Sequence, residues 1–580
     1  MGNTISITGL GIICAIGNDS GSVVDSLRSR RTGIGAMRYL QSRHVDLPVG
    51  EVKLSNDEMK EMLGIDTKLT ISRTSLMGAI AIRQALESAG IESIEGKRVA
   101  LISGTTVGGM DLSELQHAEM MHTNSYDYLL QGNECGRSTE EMAELLGLKG
   151  VECCTISTAC SSALNSIILG SEMLKRNEVD IVIAGGSEAL SRYHLNGFNT
   201  LMILDKAQCR PFDATRAGLN LGEGAAFVVL EKDKADGLAY VAGYANRCDA
   251  FHQTASSENG EGAYLAMSDA LSMARIEPKD IAYINAHGTG TPNNDASESQ
   301  AIIRIFGDSI PAVSSTKSFT GHTTSASGSI ESVISILAMQ HNFIPANLGW
   351  ESSGENTIVP TMGCDDVVMD NVICNSFGFG GNDSSMVLSR YPVEHVVPEG
   401  EDYEFEVVAD ECVESVEELA ALREYISPLE SRRMGKLMKA AHLSTLRALK
   451  RAELNCPDAI VTATSRGMLD ISMQFLEDIS INQEELLKPT LFMQSTHNTI
   501  SSAIAIRNKC YGYNTTYSQG EDSMLWAMRD AERLIATGKA ATVLVIEFDE
   551  SSPILAKAAE YLNVEPPKEL YSRSIVLKRK

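Results

Sequence analysis

Residues 153–177, "CCTISTACSSALNSIILGSEMLKRN", place a single cysteine, Cys160, where an apolar, β-prone run passes into a helical pattern. The β-branched "CTIST" predicts a short strand. Leu164, Ile167, Ile168 and Leu174 then follow helical spacing, and Lys175, Arg176 and Asn177 form a C-terminal stop. Cys160 therefore falls at the first helical turn, where free N–H groups and the helix dipole favour a thiolate. Ala159, Ser161, Ser162 and Ala163 are small enough to admit a carbonyl beside it. The chemistry this suggests is nucleophilic attack on an acyl group. The competing reading is a small buried thiol, the commonest fate of a cysteine.

Three other stretches supply what such a nucleophile needs. "NAHGTGTPNND" sets His287 in a glycine–threonine loop, where backbone N–H groups and the hydroxyls of Thr289 and Thr291 can hold a polar chain. "SSTKSFTGHTTSASGSIE" brings Lys317 and His322 close, with Glu331 just inside a following helix. "CNSFGFGGND" is a glycine-rich strand end whose N–H groups can line an oxyanion hole. Each alone has a bland reading as a structural histidine or a tight turn.

The elements that would position these groups alternate between strand and helix through the first 390 or so residues, as in an α/β fold. "RVALISGTTVGG", "VDIVIAGGSEAL", "DIAYINAHGTGT", "IPAVSSTKSFTGH" and "DNVICNSFGFGGND" are apolar β runs with Gly/Ser/Thr-rich ends. Substrate groups gather beyond the carboxyl ends of such strands, so these ends are expected to converge. At the amino terminus Ile5 and Ile7 predict an opening strand before the turn-prone Gly9 and Gly11. "MGNTIS" also fits a myristoylation pattern, and the strand is preferred.

Pro392 and Pro398, followed by acidic residues, mark a connection over 393–404. Beyond it, "DSMLWAMRDAERLIATGKAATVLVIEFDE" echoes "SALNSIILGSEMLKRNEVDIVIAGGSE" in helix, polar turn, apolar strand and closing acid. The tail reads as a diverged repeat of residues 70–190, with the place of Cys160 falling near Gly520 in "YSQGED".

Composition narrows the function classes. At 580 residues the chain can hold two to four domains, and 43% hydrophobic with 22% charged residues is that of a globular protein. A formal charge of −27 argues against nucleic-acid binding and against an anionic membrane surface. The twelve cysteines lack ligand or disulfide spacing, so no metal site is expected and a reducing cytoplasmic setting is. No apolar stretch is long enough to span a bilayer.

Taken in order, "TACSSA", "CRPFDATRAGLNLGEGA", "DAFHQTASSENGEGAYLAM", "HGTGTPNND", "STKSFTGHTTSASGSIE" and "NSFGFGGND" resemble the elongating β-ketoacyl-[acyl-carrier-protein] synthases, over residues 1 to about 392. The resemblance implies a thiolase-like α/β fold of duplicated αβαβα layers, with an added degenerate half domain. Its divisions would be 1–237 (nucleophile Cys160), 238–392 (His287, Lys317, His322), the connection 393–404, and 405–580 without catalytic residues.

The roles it implies are specific. Cys160 accepts an acyl group from a carrier-protein thioester, and the N–H groups of Cys160 and Phe379 bind the oxyanion. His287 and His322 promote decarboxylation of malonyl-carrier protein. Lys317, partnered by Glu331, sets the position and charge of the histidine pair. Thr289, Thr291 and Thr254 contact the phosphopantetheine arm, and Phe379 gates the nucleophile. No tightly bound cofactor is implied, since substrates ride on the phosphopantetheine of acyl carrier protein.

The second histidine separates this pattern from initiating enzymes, which carry asparagine where His322 stands. Cys374 lies near the second-cysteine region of thiolases and reads here as a core thiol. Departures from the pattern are Ala217, where an acid is usual, Asn382 and Asp383 after "GFGG", and Ser325 after His322.

Residues 405–580 resemble the amino-terminal half of a chain-length-factor-like partner. Their expected role is a structural appendage, a pocket wall, a carrier dock or an oligomer contact. The alternative for the whole chain is a noncatalytic pairing subunit of another ketosynthase, and a malonyl decarboxylase-like variant would use the same residues. The resemblance further implies a homodimer. Carrier proteins are acidic, and segments 174–176 and 191–194 are candidate basic docking points.

Overall fold

The computed structural model describes residues 3–123, 134–395, 403–563 and 568–580, so residues 396–402 of the expected connection lie outside the described residues. The first half supplies β1 (Ile5–Cys14), β2 (Val99–Gly104), β3 (Glu152–Ile156), β4 (Ile181–Glu188) and β5 (Gly224–Lys232). The second supplies β6 (Ala239–Cys248), β7 (Tyr283–Asn285), β8 (Ala312–Ser314), β9 (Asn371–Gly378) and β10 (Asn382–Ser389). The tail adds β11 (Phe405–Val413), β12 (Ala459–Ala463), β13 (Tyr513–Tyr517), β14 (Thr542–Glu550) and β15 (Leu570–Arg579). These make one 15-stranded sheet ordered β11-β15-β14-β12-β13-β3-β2-β4-β5-β1-β6-β10-β9-β7-β8.

The opening strand is longer than expected. β1 runs straight through Gly9 and Gly11 instead of turning there. A Cβ on Gly11 would lie 1.8 Å from the Ala81 carbonyl oxygen, and one on Gly9 2.1 Å from that of Ala85. These glycines let α1 (Arg73–Ser88) lie directly on the strand. On the other face sit α2 (Ser162–Lys175) and, from the second half, α4 (Ser327–Gln340). Both are almost wholly buried, and apart from Asn165, Glu172, Lys175, Glu331 and Gln340 their sequences are apolar or small. α2 packs on β2 and β4, while α4 touches both β5 and β9, so the pair forms the central helical layer of the expected αβαβα arrangement.

The tail repeats the first half strand for strand. β11, β15, β14, β12 and β13 follow the neighbour order of β1, β5, β4, β2 and β3. Even the irregularity is copied: the β1–β5 register shifts between Ile7 and Gly9, and the β11–β15 register between Val407 and Ala409. α5 (Lys436–Arg451) covers β11 and β15 as α1 covers β1 and β5. The repeat is thus larger than residues 70–190, because the opening and closing strands keep their pairing order and bulge while their sequences have diverged. Among the described residues the tail has no counterpart of β6–β10.

The two copies meet edge to edge. Tyr517 of β13 pairs antiparallel with Ile156 of β3. Ser157 N–H donates to the Thr516 carbonyl and Ser518 N–H to the Thr155 carbonyl, each at 2.9 Å. Both bonds lie within a few residues of Cys160, so the tail is joined to the first half beside the turn that carries it. Among the described residues no helix is long and apolar enough to cross a membrane.

Candidate active site

β3 ends at an elbow in which Ala159 takes φ +52°, and Cys160 follows on a single 3₁₀ turn before α2 begins. Thr158 N–H donates to Ser162 Oγ at 2.9 Å and Ser376 Oγ donates to the Cys160 carbonyl at 2.8 Å, which fixes the elbow from both sides. Cys160 is 5% exposed. Burial pushes its thiol up to about 11, opposed by the Lys317 charge and by the N–H groups of Phe379 and of Cys160 itself. Those two N–H groups are the donors expected for an oxyanion.

His322 Nε2 lies 3.2 Å from Cys160 Sγ, and its Nδ1 lies 3.0 Å from Ser327 Oγ. The His287 ring stands edge-on to it, centroids 5.3 Å apart. Burial and Lys317 hold both imidazoles well below their ordinary value, His322 adding to the effect on His287, so both rings are neutral. Lys317 Nζ bridges His287 Nδ1 at 3.2 Å and Glu331 Oε1 at 2.5 Å. An ammonium only donates, so His287 Nδ1 accepts and its hydrogen sits on Nε2. Burial pushes Glu331 up to about 7, against the pull of Lys317. Sulfur and ring nitrogens of Cys160, His287 and His322 lie within 4.8 Å of one another, a spacing that could hold a cation. The Lys317 charge beside His287 opposes one there.

The structure therefore brings Cys160, His287, His322, Lys317, Glu331 and Phe379 together. Thr289 and Thr291 lie on the His287 loop with their hydroxyls 2.9 Å apart. Thr254 is half-buried, on the loop whose Gln253 carbonyl accepts the Gly380 N–H at 2.7 Å. Cys374 is buried with its sulfur 3.2 Å from Ser335 Oγ, and burial pushes it up to about 12, as a core thiol should be.

Both candidate docking segments hold a cation that is already ion-paired. Lys175 is paired with Glu172 at 2.6 Å, both side chains 10% exposed, at the far end of α2. At ~1.5 Å per residue that is roughly 20 Å from Cys160. Arg192 is tied to Glu114 at 3.7 Å.

Several contributors escaped sequence reasoning. Glu298 accepts the N–H groups of His287 and Gly288 at 2.9 and 2.8 Å and so sets the histidine loop. Phe198, on α3 (Arg192–Thr200), stacks on Phe379 with centroids 5.6 Å apart and faces His322 at 6.4 Å. Behind it stand tail aromatics: Phe492, on α7 (Pro489–Met493), lies 5.4 Å from Phe198, and Phe475, on α6 (Leu469–Ile481), lies 5.2 Å from Tyr193. The only signal for Phe198 was helical spacing with Leu195. Nothing in one sequence could pair it with Phe492.

Two of the departures, Ser325 and Asn382, have structural partners. Ser325 Oγ donates to buried Glu188 at 2.5 Å. Asn382 gives Nδ2 to the Asn514 carbonyl and Oδ1 to Asn498, both in the tail. Asp383 is buried, and burial with the nearby charges of Asp249 and Glu298 holds it well above the usual carboxylate range.

Comparison with known proteins places the chain among ketosynthases. Residues 2–235 match "Beta-ketoacyl synthase, N-terminal domain" and 238–351 match "Beta-ketoacyl synthase, C-terminal domain". Residues 410–566 match an N-terminal domain of the same kind a second time. The 3-oxoacyl-[acyl-carrier-protein] synthase 2 of Coxiella burnetii is 33% identical over 420 residues, 67% of this chain and 98% of that protein. Its namesake in Vibrio cholerae is 30% identical over 410 residues, 67% of this chain and 99% of that protein. Among solved structures, the Xenorhabdus doucetiae ketosynthase ApeO in complex with its chain length factor ApeC has 31% identity and a TM-score of 0.58, covering 67% of this chain and 98% of that one. The PfaC keto synthase–chain length factor, 17% identical, covers all of this chain and 78% of its own with a TM-score of 0.78, a likeness of fold alone.

Proposed function

Because the chain belongs to the β-ketoacyl synthase family, we propose that Cys160, His287 and His322 carry out the decarboxylative condensation of that family on carrier-bound acyl chains. The chain is a ketosynthase of the acyltransferase class, with a thiolase-like fold. The observation that carries the residue assignment is His322 Nε2 at 3.2 Å from Cys160 Sγ, with a neutral His287 beside it.

In the first step Cys160 Sγ bonds to the acyl carbon and the carrier C–S bond breaks. The thiol proton passes by way of His322 to the departing pantetheine sulfur. The oxyanion formed on the way meets the N–H groups of Cys160 and Phe379. In the second step malonyl-carrier protein loses carbon dioxide, and the electron pair enters an enolate that the Nε2–H of His287 stabilises, joined by His322 once its ring hydrogen has passed from Nδ1, where Ser327 Oγ faces it, to Nε2. That carbanion bonds to the acyl carbon, the Cys160 sulfur leaves, and a proton from water restores the thiol. Lys317 fixes the His287 tautomer, and Glu331 balances its charge. Thr289, Thr291 and Thr254 line the path of the phosphopantetheine arm. The reaction needs no resident cofactor.

The presence of Cys160, His287, Lys317 and His322 speaks against a noncatalytic pairing subunit. The repeat supports divisions into 1–237, 238–392 and 405–580 with the connection 393–404, and a cytoplasmic setting suits a carrier-dependent pathway of fatty-acid or specialised polyene or polyketide type. The expected homodimer would use a surface other than the edge of β3, which β13 covers.

For the carrier protein we assign a docking face on the tail. Residues 432–451 hold seven Lys or Arg and no acid, in a chain of net charge −27. Arg433 lines a cavity of about 400 Å³ together with His252, Gln253, Met438 and Arg507, and Gln253 holds the turn that carries Phe379.

The deciding experiment is intact mass after incubation with acyl-carrier protein, beside Cys160→Ala. A gain equal to the acyl group, lost in the variant and followed by chain extension with malonyl-carrier protein, is expected. Folded protein that takes up no acyl group at any chain length would sink this reading in favour of the pairing subunit.

A further inference from the structure

The tail carries no cysteine at its elbow, yet one of its side chains is held against the turn that carries Phe379. Asn498, 1% exposed at the start of α8 (Thr499–Asn508), donates from Nδ2 to the Phe379 carbonyl at 2.9 Å and to Asn382 Oδ1 at 2.7 Å. The network itself fixes which way this amide points. Asn382 Nδ2 donates to the Asn514 carbonyl at 3.0 Å, and a carbonyl only accepts. Asn382 must therefore turn its oxygen to Asn498, and only the amide NH₂ of Asn498 can answer both that oxygen and the Phe379 carbonyl. Asn514 is locked in turn by Asn246, whose Oδ1 accepts the Asn514 N–H at 3.0 Å and whose Nδ2 donates to the Asn514 carbonyl at 3.1 Å.

The turn needs such a holder. Gly378, Gly380 and Gly381 flank Phe379, with Gly380 at φ +88° and Gly381 at φ +78°, so the backbone is free to swing. The peptide unit after Phe379 is gripped at both ends, its carbonyl by Asn498 and its N–H by Gln253. The unit before it is closed by Gly381 N–H on the Gly378 carbonyl at 3.0 Å, which leaves the Phe379 N–H aimed at Cys160. From the same helix, Ser502 Oγ closes over the turn at 2.0 Å from where a Gly380 Cβ would stand.

We infer that Asn498 is a positioning residue for the oxyanion site, by which the tail completes the active site of the first two domains. The inference rests on the reading of Cys160 as acyl acceptor. It gives the tail a part in the reaction beyond covering surface. It also accounts for Asn382, the side chain through which the turn and the tail meet.

The test compares wild type with Asn498→Ala and Asn498→Asp in the full chain. Acylation of Cys160 by an acyl-N-acetylcysteamine thioester is followed by intact mass. Alkylation of the same sulfur by iodoacetamide, a displacement that forms no oxyanion, is followed alongside. Outright loss of an oxyanion donor lowers rates by about 10²–10³, so a displaced one should slow acylation at saturating thioester at least ~10-fold. KM should stay within about twofold, and alkylation, which loses only the help that the Phe379 N–H gives the thiolate, should fall far less than acylation. Aspartate, which offers two acceptors to two acceptors, should be slower than alanine. Asn498→Ser, with one short donor, should recover part of the rate and serves in place of alanine if that variant unfolds. Acylation within twofold of wild type in every folded variant overturns the inference, as does alkylation falling in step with acylation. A wild type that is never acylated is a separate result, and removes the ketosynthase reading itself.

Discussion

Ala159 and Gly520 share a backbone angle, φ +52°, at the same point of two strand–elbow–helix units. The likeness extends outward: Thr158 N–H donates to Ser162 Oγ at 2.9 Å, and Gln519 N–H to Ser523 Oγ at 2.8 Å. The residue in the place of Cys160 is then Glu521, one beyond Gly520, and it is exposed. An elbow alone is thus not a site. In a Cys160→Ala background, Glu521→Cys should be acylated no faster than free cysteine, because among the described residues no imidazole is bonded to Glu521. Intact-mass kinetics with the same thioester decide; enzymic acylation there would show that the elbow suffices.

With its thiol held near 11 by burial, Cys160 is almost wholly protonated at neutral pH. His322, at 3.2 Å, is the base that can relieve this. His322→Ala should slow acylation at pH 7 by about 10²-fold or more. Its rate should then climb about tenfold per pH unit toward pH 11, as the thiolate forms unaided. Wild type should change little over the same range. A variant whose rate is flat with pH would exclude this role.

The site was legible in the sequence to the extent that its chemistry is local. Cys160, His287, Lys317 and His322 sit on glycine- or serine-rich strand ends whose residue types announce them. Phe198, Glu298 and Asn498 do not. Phe198 looks like any apolar helix residue, and Glu298 like any acid on an amphipathic helix. Each acquires a role only when the fold lays it against Phe379 or the His287 backbone. The tail shows the same limit. Its repeat was visible where helix and strand patterns survive, whereas β11 and β15 matched β1 and β5 only in pairing order and in one shared bulge.

Asp383 gives a prediction of opposite sign to that of an ion-paired carboxylate. In the unfolded chain it ionises near the ordinary value of about 4. In the fold, burial and the charges of Asp249 and Glu298 hold it well above that. Folding is therefore unpenalised below the unfolded value and loses ~1.4 kcal/mol for each pH unit above it, until the folded value is passed. Asp383→Asn removes the penalty while keeping the shape. It should melt higher than wild type at pH 8 and coincide with it near pH 4. Equal melting temperatures at both pH values would count against this account.

The carrier protein meets a chain whose overall charge opposes it, so docking must come from local reversal. Arg432 and Arg433 are exposed, and neither guanidinium meets a carboxylate among the described residues. At a separation of several ångströms from an acidic helix such charges act within one Debye length, about 8 Å at physiological salt. They should therefore set encounter rather than chemistry. The double variant Arg432→Glu, Arg433→Glu should raise KM for acyl-carrier protein by about tenfold or more at low salt, and flatten the rise of KM with salt that wild type shows. Acylation by the small N-acetylcysteamine thioester, which needs no dock, should be unchanged. If KM and its salt dependence match wild type, the carrier approaches from another face. If the small thioester suffers equally, the two arginines support the cavity wall beside Gln253, and the turn carrying Phe379, instead of the partner.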